Sequence, residues 1–333
     1  MSADLPAGLE SFIDQAGWAG AQVQPLPGDA SFRRYFRLVK GADSAMLMHA
    51  PPPHEDPGPF LHVGKWLLAQ GLHGPAILAE DAGQGLVLIE DFGNDRMRDW
   101  LDDNPAAERV TYATAIDALV NLHRCPPGPF APYDMEVYLR EVRLFTEWFC
   151  PAAGIVVDTA AHDAAWQQAL AALLERQQPG VTVLRDYHAE NIMLLPDGAQ
   201  GLIDFQDALV GHPAYDVVSL LQDARRDVSE ELEADMLAHY IARAGADAGF
   251  AADYARLGAQ RNAKIVGIFT RLWQRDGKPR YLAMIPRVWA ALERDLAHPA
   301  LAPVARWFDV NVPAEWRARH GAGLGAGLDG YHA

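Results

Sequence analysis

Leu184-Arg185-Asp186-Tyr187-His188-Ala189-Glu190-Asn191 runs into Ile192-Met193-Leu194-Leu195-Pro196-Asp197-Gly198-Ala199-Gln200-Gly201-Leu202-Ile203-Asp204-Phe205, and this stretch decides the fold. Pro196-Asp197-Gly198 is a turn signal between two short apolar runs, 192–195 and 201–203. The pattern predicts a small hairpin. A hairpin folds Asn191 and Asp204 toward the same end, where an amide oxygen and a carboxylate can share one hard cation. Asp186 lies five residues before Asn191, on the loop leading into the hairpin, and is expected to face the same point.

Phosphoryl transfer asks for such a set. It needs one group that orients the attacking hydroxyl and accepts its proton, and oxygen ligands that hold Mg2+ against the phosphates. Asp186 suits the first role, and Asn191 and Asp204 suit the second. His188 stands between them, placed to support the loop or to meet phosphate. A polar loop or an exposed hairpin is common alone; the two at this spacing, between apolar strands, are not. A metal hydrolase could use the same oxygens, but the nucleotide-type lobe ahead of them argues against it.

Outward from this core, the chain has two characters. Residues 8–17 read as a short helix, and Pro25, Pro27 and Gly28 mark a turn between strands. Residues 45–49 read as a strand ended by Pro51-Pro52-Pro53. Residues 60–69 place Phe60, Val63, Leu67 and Leu68 on one side of a helix, ended at Gly71. Residues 75–78 and 86–90 read as strands around Asp81-Ala82-Gly83. The links are short, so the sheet should be antiparallel. After residue 94 long helical patterns dominate, over 106–123, 135–149, 159–177, 214–222, 229–242, 251–273 and 281–296. The expectation is an α+β, bilobal, kinase-like fold: a mixed nucleotide-binding lobe over 1–90, a hinge at 91–94, a helical catalytic and substrate lobe over 95–320, and a flexible Gly-rich tail over 321–333.

Composition narrows the partners. The 333 residues are 50% hydrophobic and carry a formal charge of −16. That charge argues against nucleic-acid binding and against docking on an anionic membrane. Cys125 and Cys150 cannot make a disulfide framework. The first residues carry no basic-then-apolar leader pattern, and no apolar stretch reaches 18 residues. A soluble, cytoplasmic, monomeric enzyme with a small-molecule substrate is expected.

Asp186 to Asn191 followed by Ile203-Asp204-Phe205-Gln206-Asp207-Ala208 resembles the HRDxxxxN and DFG motifs of kinases. With Gln206 in place of the glycine, and with Gly211-His212-Pro213-Ala214-Tyr215-Asp216 downstream, the chain is similar to the aminoglycoside phosphotransferase and choline kinase superfamily. Asp29-Ala30-Ser31-Phe32-Arg33-Arg34-Tyr35-Phe36-Arg37 and Met48-His49-Ala50-Pro51-Pro52-Pro53 look like the bacterial anomeric amino-sugar kinases within it. The resemblance implies ATP-dependent phosphorylation of the C1 hydroxyl of N-acetylmuramate and N-acetylglucosamine, in cell-wall recycling. It implies Asp186 as base and Asn191 and Asp204 as Mg2+ ligands. Asp216 would be a structural brace, although an N-cap reading also fits the helix that follows.

For the nucleotide, Gly28, Asp29, Ala30 and Ser31 lie where a phosphate-covering turn belongs, with Arg33 and Arg34 adding charge. The segment from Leu88 through Glu90 to Phe92 falls where the lobes join and would hold the adenine edge. For the sugar, His188, Glu190, Tyr215 and Arg271 are the candidates, the first two because they adjoin the base. One departure stands out. The strand Ala45-Met46-Leu47-Met48-His49-Ala50 lacks the lysine that kinases place there, and 60–69 lacks its glutamate partner. Phosphate neutralisation is left to Mg2+, backbone amides, Arg33, Arg34 or His49.

Overall fold

The computed structural model describes residues 5–27 and 32–325. The expected phosphate turn, Gly28, Asp29, Ala30 and Ser31, lies outside the described residues, as do 326–333 of the Gly-rich tail. The chain forms two compact units. One holds the described residues up to Pro105 together with Glu190–Ala208; the other holds Ala106–Ala189 and the described residues from Leu209 onward.

The first unit is built on an antiparallel sheet of β1 (Gln22–Pro25), β2 (Arg34–Lys40), β3 (Asp43–His49), β4 (Ile77–Asp81) and β5 (Leu86–Glu90), in the order β1-β2-β3-β5-β4. Side chains alternate across a strand. Phe36, Leu38, Ala45, Leu47, Leu86 and Leu88 therefore share one face, where they pack with Leu9, Phe12 and Ile13 of α1 (Leu9–Gln15). Met48, Val87 and Ile89 turn to the opposite face and are buried as well. Such a doubly covered strand reads as a near-continuous apolar run, as Leu86–Ile89 does. α2 (Gly58–Ala69) follows the proline run and buries Phe60, Leu61, Val63 and Leu67. α3 (Met97–Asp103) was not expected: it buries only Met97 and Leu101, one face-pair among charged residues, too sparse a pattern to read.

The hairpin is present as Ile192–Leu194 paired antiparallel with Gln200–Leu202, and it belongs to this first unit. Leu194 N–H donates to Asp95 O at 2.8 Å, and Leu202 N–H to His73 O at 2.8 Å. Gly201 lies so close under Phe92 that a Cβ there would fall 2.6 Å from the ring.

The second unit is helical: α4 (Glu108–Arg124), α5 (Met135–Leu144), α6 (Thr159–Arg176), α7 (Ala214–Leu221), α8 (Glu230–Ala244), α9 (Phe250–Gln274), α10 (Ile285–Leu296) and α11 (Ala302–Asn311). α9 is its axis, buried on most of its circumference. Its buried polar residues Asp253, Gln260, Arg261 and Asn262 each make at least one hydrogen bond. The helix expected over 135–149 gives way to a π-helical turn at Phe145–Phe149. The disruption sits beside the crossing of α9, where a Cβ on Gly267 would fall 2.3 Å from the Leu144 carbonyl. Val181–Val183 pairs with Leu209–Gly211, bracketing the loop around Asp186 and the hairpin in sequence. Among the described residues no helix is long and apolar enough to cross a membrane.

Candidate active site

In the first unit, Ile203 N–H donates to Asn191 O at 3.1 Å, closing the hairpin at its functional end. This leaves Asn191 Nδ2 3.3 Å from Asp204 Oδ2. Asp204 stands at φ 60°, a left-handed conformation uncommon outside glycine, asparagine and aspartate. Gln206 Nε2 donates to Asp204 Oδ1 at 2.8 Å, so the residue that replaces the motif glycine holds the carboxylate. Phe205 stacks on Phe60 of α2 with ring centroids 5.0 Å apart, anchoring the backbone on the other side of Asp204.

The donor set fits Mg2+: a side-chain amide and a carboxylate are hard oxygen ligands. Among the described residues no group of three or more His, Cys, Asp or Glu could hold a metal ion. A cation at this pair would complete its shell with water and with oxygens of a phosphate-bearing ligand, which is how Mg2+ is ordinarily held in phosphoryl transfer.

The first unit also carries several arginines, each with a partner. Arg33 Nε lies 3.4 Å from Glu55 Oε2. Arg34, opposite His49 in the sheet register, places Nη2 3.3 Å from His49 Nδ1. Burial, and then Arg34, push the His49 imidazole below its ordinary value. Arg98 of α3 pairs with Glu190. Arg37 grips the segment leaving the sheet, donating to Asp91 Oδ1 at 3.0 Å, Gly93 O at 3.0 Å and Asn94 Oδ1 at 2.8 Å. Of the residues expected near adenine, Leu88 turns into the α1 core, because alternation along β5 points only its neighbours the other way. The Glu90 carboxylate accepts from Ala76 N–H at 3.1 Å.

In the second unit the catalytic loop is held from below. Asp216, in the first turn of α7 and fully buried, accepts from Leu184 N–H at 2.7 Å and from Arg185 N–H at 2.8 Å. It acts as a brace; the N-cap of α7 is Pro213. Burial pushes its carboxyl up to about 7, against the lowering effect of those two donors. Arg185 has φ 71°. Its carbonyl accepts from Ser219 Oγ at 3.2 Å, and Ser219 in turn accepts from Arg261 at 2.8 Å.

The Arg185 guanidinium pairs with Glu141 of α5. The other Glu141 oxygen meets Lys264 Nζ at 3.0 Å and the Tyr133 hydroxyl. Burial alone would raise the Glu141 carboxyl; Lys264 and Arg185 outweigh it and hold it below its usual value. Asp186 follows with its N–H bonded to Leu184 O at 2.9 Å, and its own carbonyl accepts from His188 N–H at 3.1 Å.

The sugar-side candidates separate in the structure. His188 is buried, with Nε2 3.4 Å from Arg225 Nη1. Burial drives its imidazole down to about 3, with Arg225 and Arg261 adding to the effect and Asp223 opposing it. It is a neutral ring within the loop's support. Tyr215 is buried, its hydroxyl accepting from Lys264 at 3.1 Å. Arg271 lies in the last turn of α9, ten residues and about 15 Å along the helix from Arg261. The charges acting on it are Arg275, which repels it, and Asp276 and Glu147, which favour it. Glu141, Glu55 and Arg98 have no role in the sequence reading, where Arg37 figures only within a motif; each meets its partner only through the tertiary fold.

The profile of the phosphotransferase enzyme family matches residues 22–259. A curated protein of Caulobacter vibrioides, N-acetylmuramate/N-acetylglucosamine kinase, is 37% identical over 95% of this chain and 99% of its own length. Its counterpart of the same name in Pseudomonas aeruginosa is 38% identical, covering 88% of this chain and 90% of its own. Among solved structures, a choline kinase from Streptococcus pneumoniae superposes with a TM-score of 0.59 at 13% identity, over 89% of this chain and 99% of that one. An aminoglycoside phosphotransferase from Streptomyces rimosus superposes at 0.55 with 19% identity, over 78% and 98%. These two likenesses concern the fold.

Proposed function

We propose that this chain, which belongs to the phosphotransferase enzyme family, transfers the γ-phosphate of ATP to the anomeric hydroxyl of N-acetylmuramate and N-acetylglucosamine. The products would be sugar 1-phosphates for cell-wall recycling. The observation that carries the substrate class is the near full-length match to two enzymes named for those sugars. The chemistry rests on this chain's own residues. Asp186 orients the acceptor hydroxyl and takes its proton as the oxygen attacks phosphorus. Asn191 and Asp204 hold Mg2+, which supplies charge neutralisation to the phosphates when bound. No covalent enzyme intermediate is needed.

The same reading puts the enzyme in the cytoplasm as a monomer, acting on a small molecule. Free Cys125 and Cys150 suit a reducing compartment. Phosphorus NMR of the product made from N-acetylmuramate and ATP tests the proposal, because it reports both transfer and its position. A C1 phosphate is expected. Faster turnover of aminoglycosides, choline or homoserine than of N-acetylated sugars would overturn the substrate assignment and leave the phosphotransferase assignment standing.

A further inference from the structure

The lysine and glutamate that kinases use to steady the donor phosphates are absent from β3 and α2. The first unit, which also carries Asn191 and Asp204, nevertheless contains a joined cation and carboxylate. Arg33 immediately precedes β2, and its Nε lies 3.4 Å from Glu55 Oε2, with both side chains largely withdrawn from solvent at 14% and 18% exposure. Glu55 sits on the connection between the proline run and α2. It also accepts from Phe32 N–H at 3.3 Å, so it fixes the backbone entering Arg33 as well as the side chain.

The cluster extends to the metal pair through Tyr35. Residues i and i+2 of an extended chain point the same way, which sets Tyr35 beside Arg33 and sets Arg34 opposite, toward His49. The Tyr35 hydroxyl is hydrogen-bonded with Arg33 and lies within the electrostatic reach of Asp204. Arg33, Tyr35, Glu55 and Asp204 therefore occupy one neighbourhood of one unit. The planar fork of a guanidinium matches the oxygens of a phosphate.

We propose that Arg33, held in place by Glu55, is the phosphate-binding cation of this enzyme, replacing the strand lysine, and that Glu55 is its positioning residue. The ligand class is the polyphosphate of a nucleoside triphosphate carrying Mg2+ at Asn191 and Asp204. The inference rests on the ATP reading above but is independent of which sugar accepts.

Calorimetric titration without sugar tests it. MgATP and adenosine are titrated into the unaltered protein and into Arg33→Ala, Glu55→Gln and Lys65→Ala, the last removing a surface cation paired with Glu80. Loss of one charge-assisted contact predicts MgATP affinity about tenfold weaker in Arg33→Ala and Glu55→Gln, with adenosine affinity and the Lys65→Ala protein unchanged. Arg33→Lys should recover part of the loss. Equal weakening toward adenosine would make the pair merely structural and overturn the proposal, as would MgATP binding indifferent to both substitutions. Failure of the unaltered protein to bind MgATP would overturn this inference and the ATP reading together.

Discussion

The loop carrying Asp186 and the hairpin carrying Asn191 and Asp204 come from one unbroken stretch of chain, yet they are held by opposite means. The loop rests on buried charge: Asp216 beneath its amides, Glu141 against Arg185, and Arg261 behind Ser219. The hairpin presents Asp204 at the surface, held by the Gln206 amide. The contrast follows from what each group does. In the role proposed for Asp186, a base must be aimed before the reaction begins, so its support is built in advance. Cation ligands receive their remaining order from the ion and the phosphates, so lighter support suffices.

The comparison can be broken at several points. Asp186→Asn should lower turnover by about 10^3-fold while leaving MgATP affinity within about twofold, measured by steady-state kinetics and calorimetry. If turnover survives, the base lies elsewhere. Asp216→Ala strands two buried N–H groups and should cost about 3 kcal/mol in denaturant unfolding. Asp204→Ala, by contrast, should abolish Mg2+-dependent turnover and change stability by less than about 1 kcal/mol. Equal losses of stability would erase the distinction between the two regions.

His188 offers a pH readout of the buried side. Its folded imidazole is depressed to about 3 from an ordinary 6.5, so the unfolded chain binds the proton more tightly. Its contribution to stability is present above 6.5 and is lost as pH falls toward its folded value. Roughly 2 kcal/mol should disappear over the first ~1.5 pH units below the ordinary value, and His188→Gln should flatten that slope in urea unfolding. The smallest effect is expected at the hairpin: Gln206→Gly frees the Asp204 carboxylate and should weaken Mg2+ activation by about threefold.

The hairpin was legible because a Pro-Asp-Gly turn sits between two apolar runs, a wholly local signal. The long helices were legible through their 3.6-residue spacing, and the sheet through short links. The supports were not. Arg185 and Glu141 are 44 residues apart, and Arg37 and Asp91 are 54. Nothing in the composition around Glu141 or Glu55 distinguishes a buried counter-ion from a solvated carboxylate, because the difference arises only when the partner arrives. By sequence His188 reads as a loop support or a phosphate contact, and both His188 and Tyr215 as sugar candidates; in the structure both are buried. An aromatic or imidazole side chain looks alike in sequence whether it faces a ligand or a helix.

Position 185 is where two selective demands disagree. Its backbone, at φ 71°, favours a residue without a β-carbon, whereas its side chain answers a buried carboxylate. Substitutions there should fall into two rankings that run against each other: glycine and asparagine lead for conformational ease, arginine and lysine for charge. A glycine at this position would ease the turn and leave Glu141 to Lys264 and Tyr133. Sequence drift at position 185 is thus weighed at position 141: losing the arginine removes one of three partners of the buried acid and leaves Lys264 and Tyr133 to hold it.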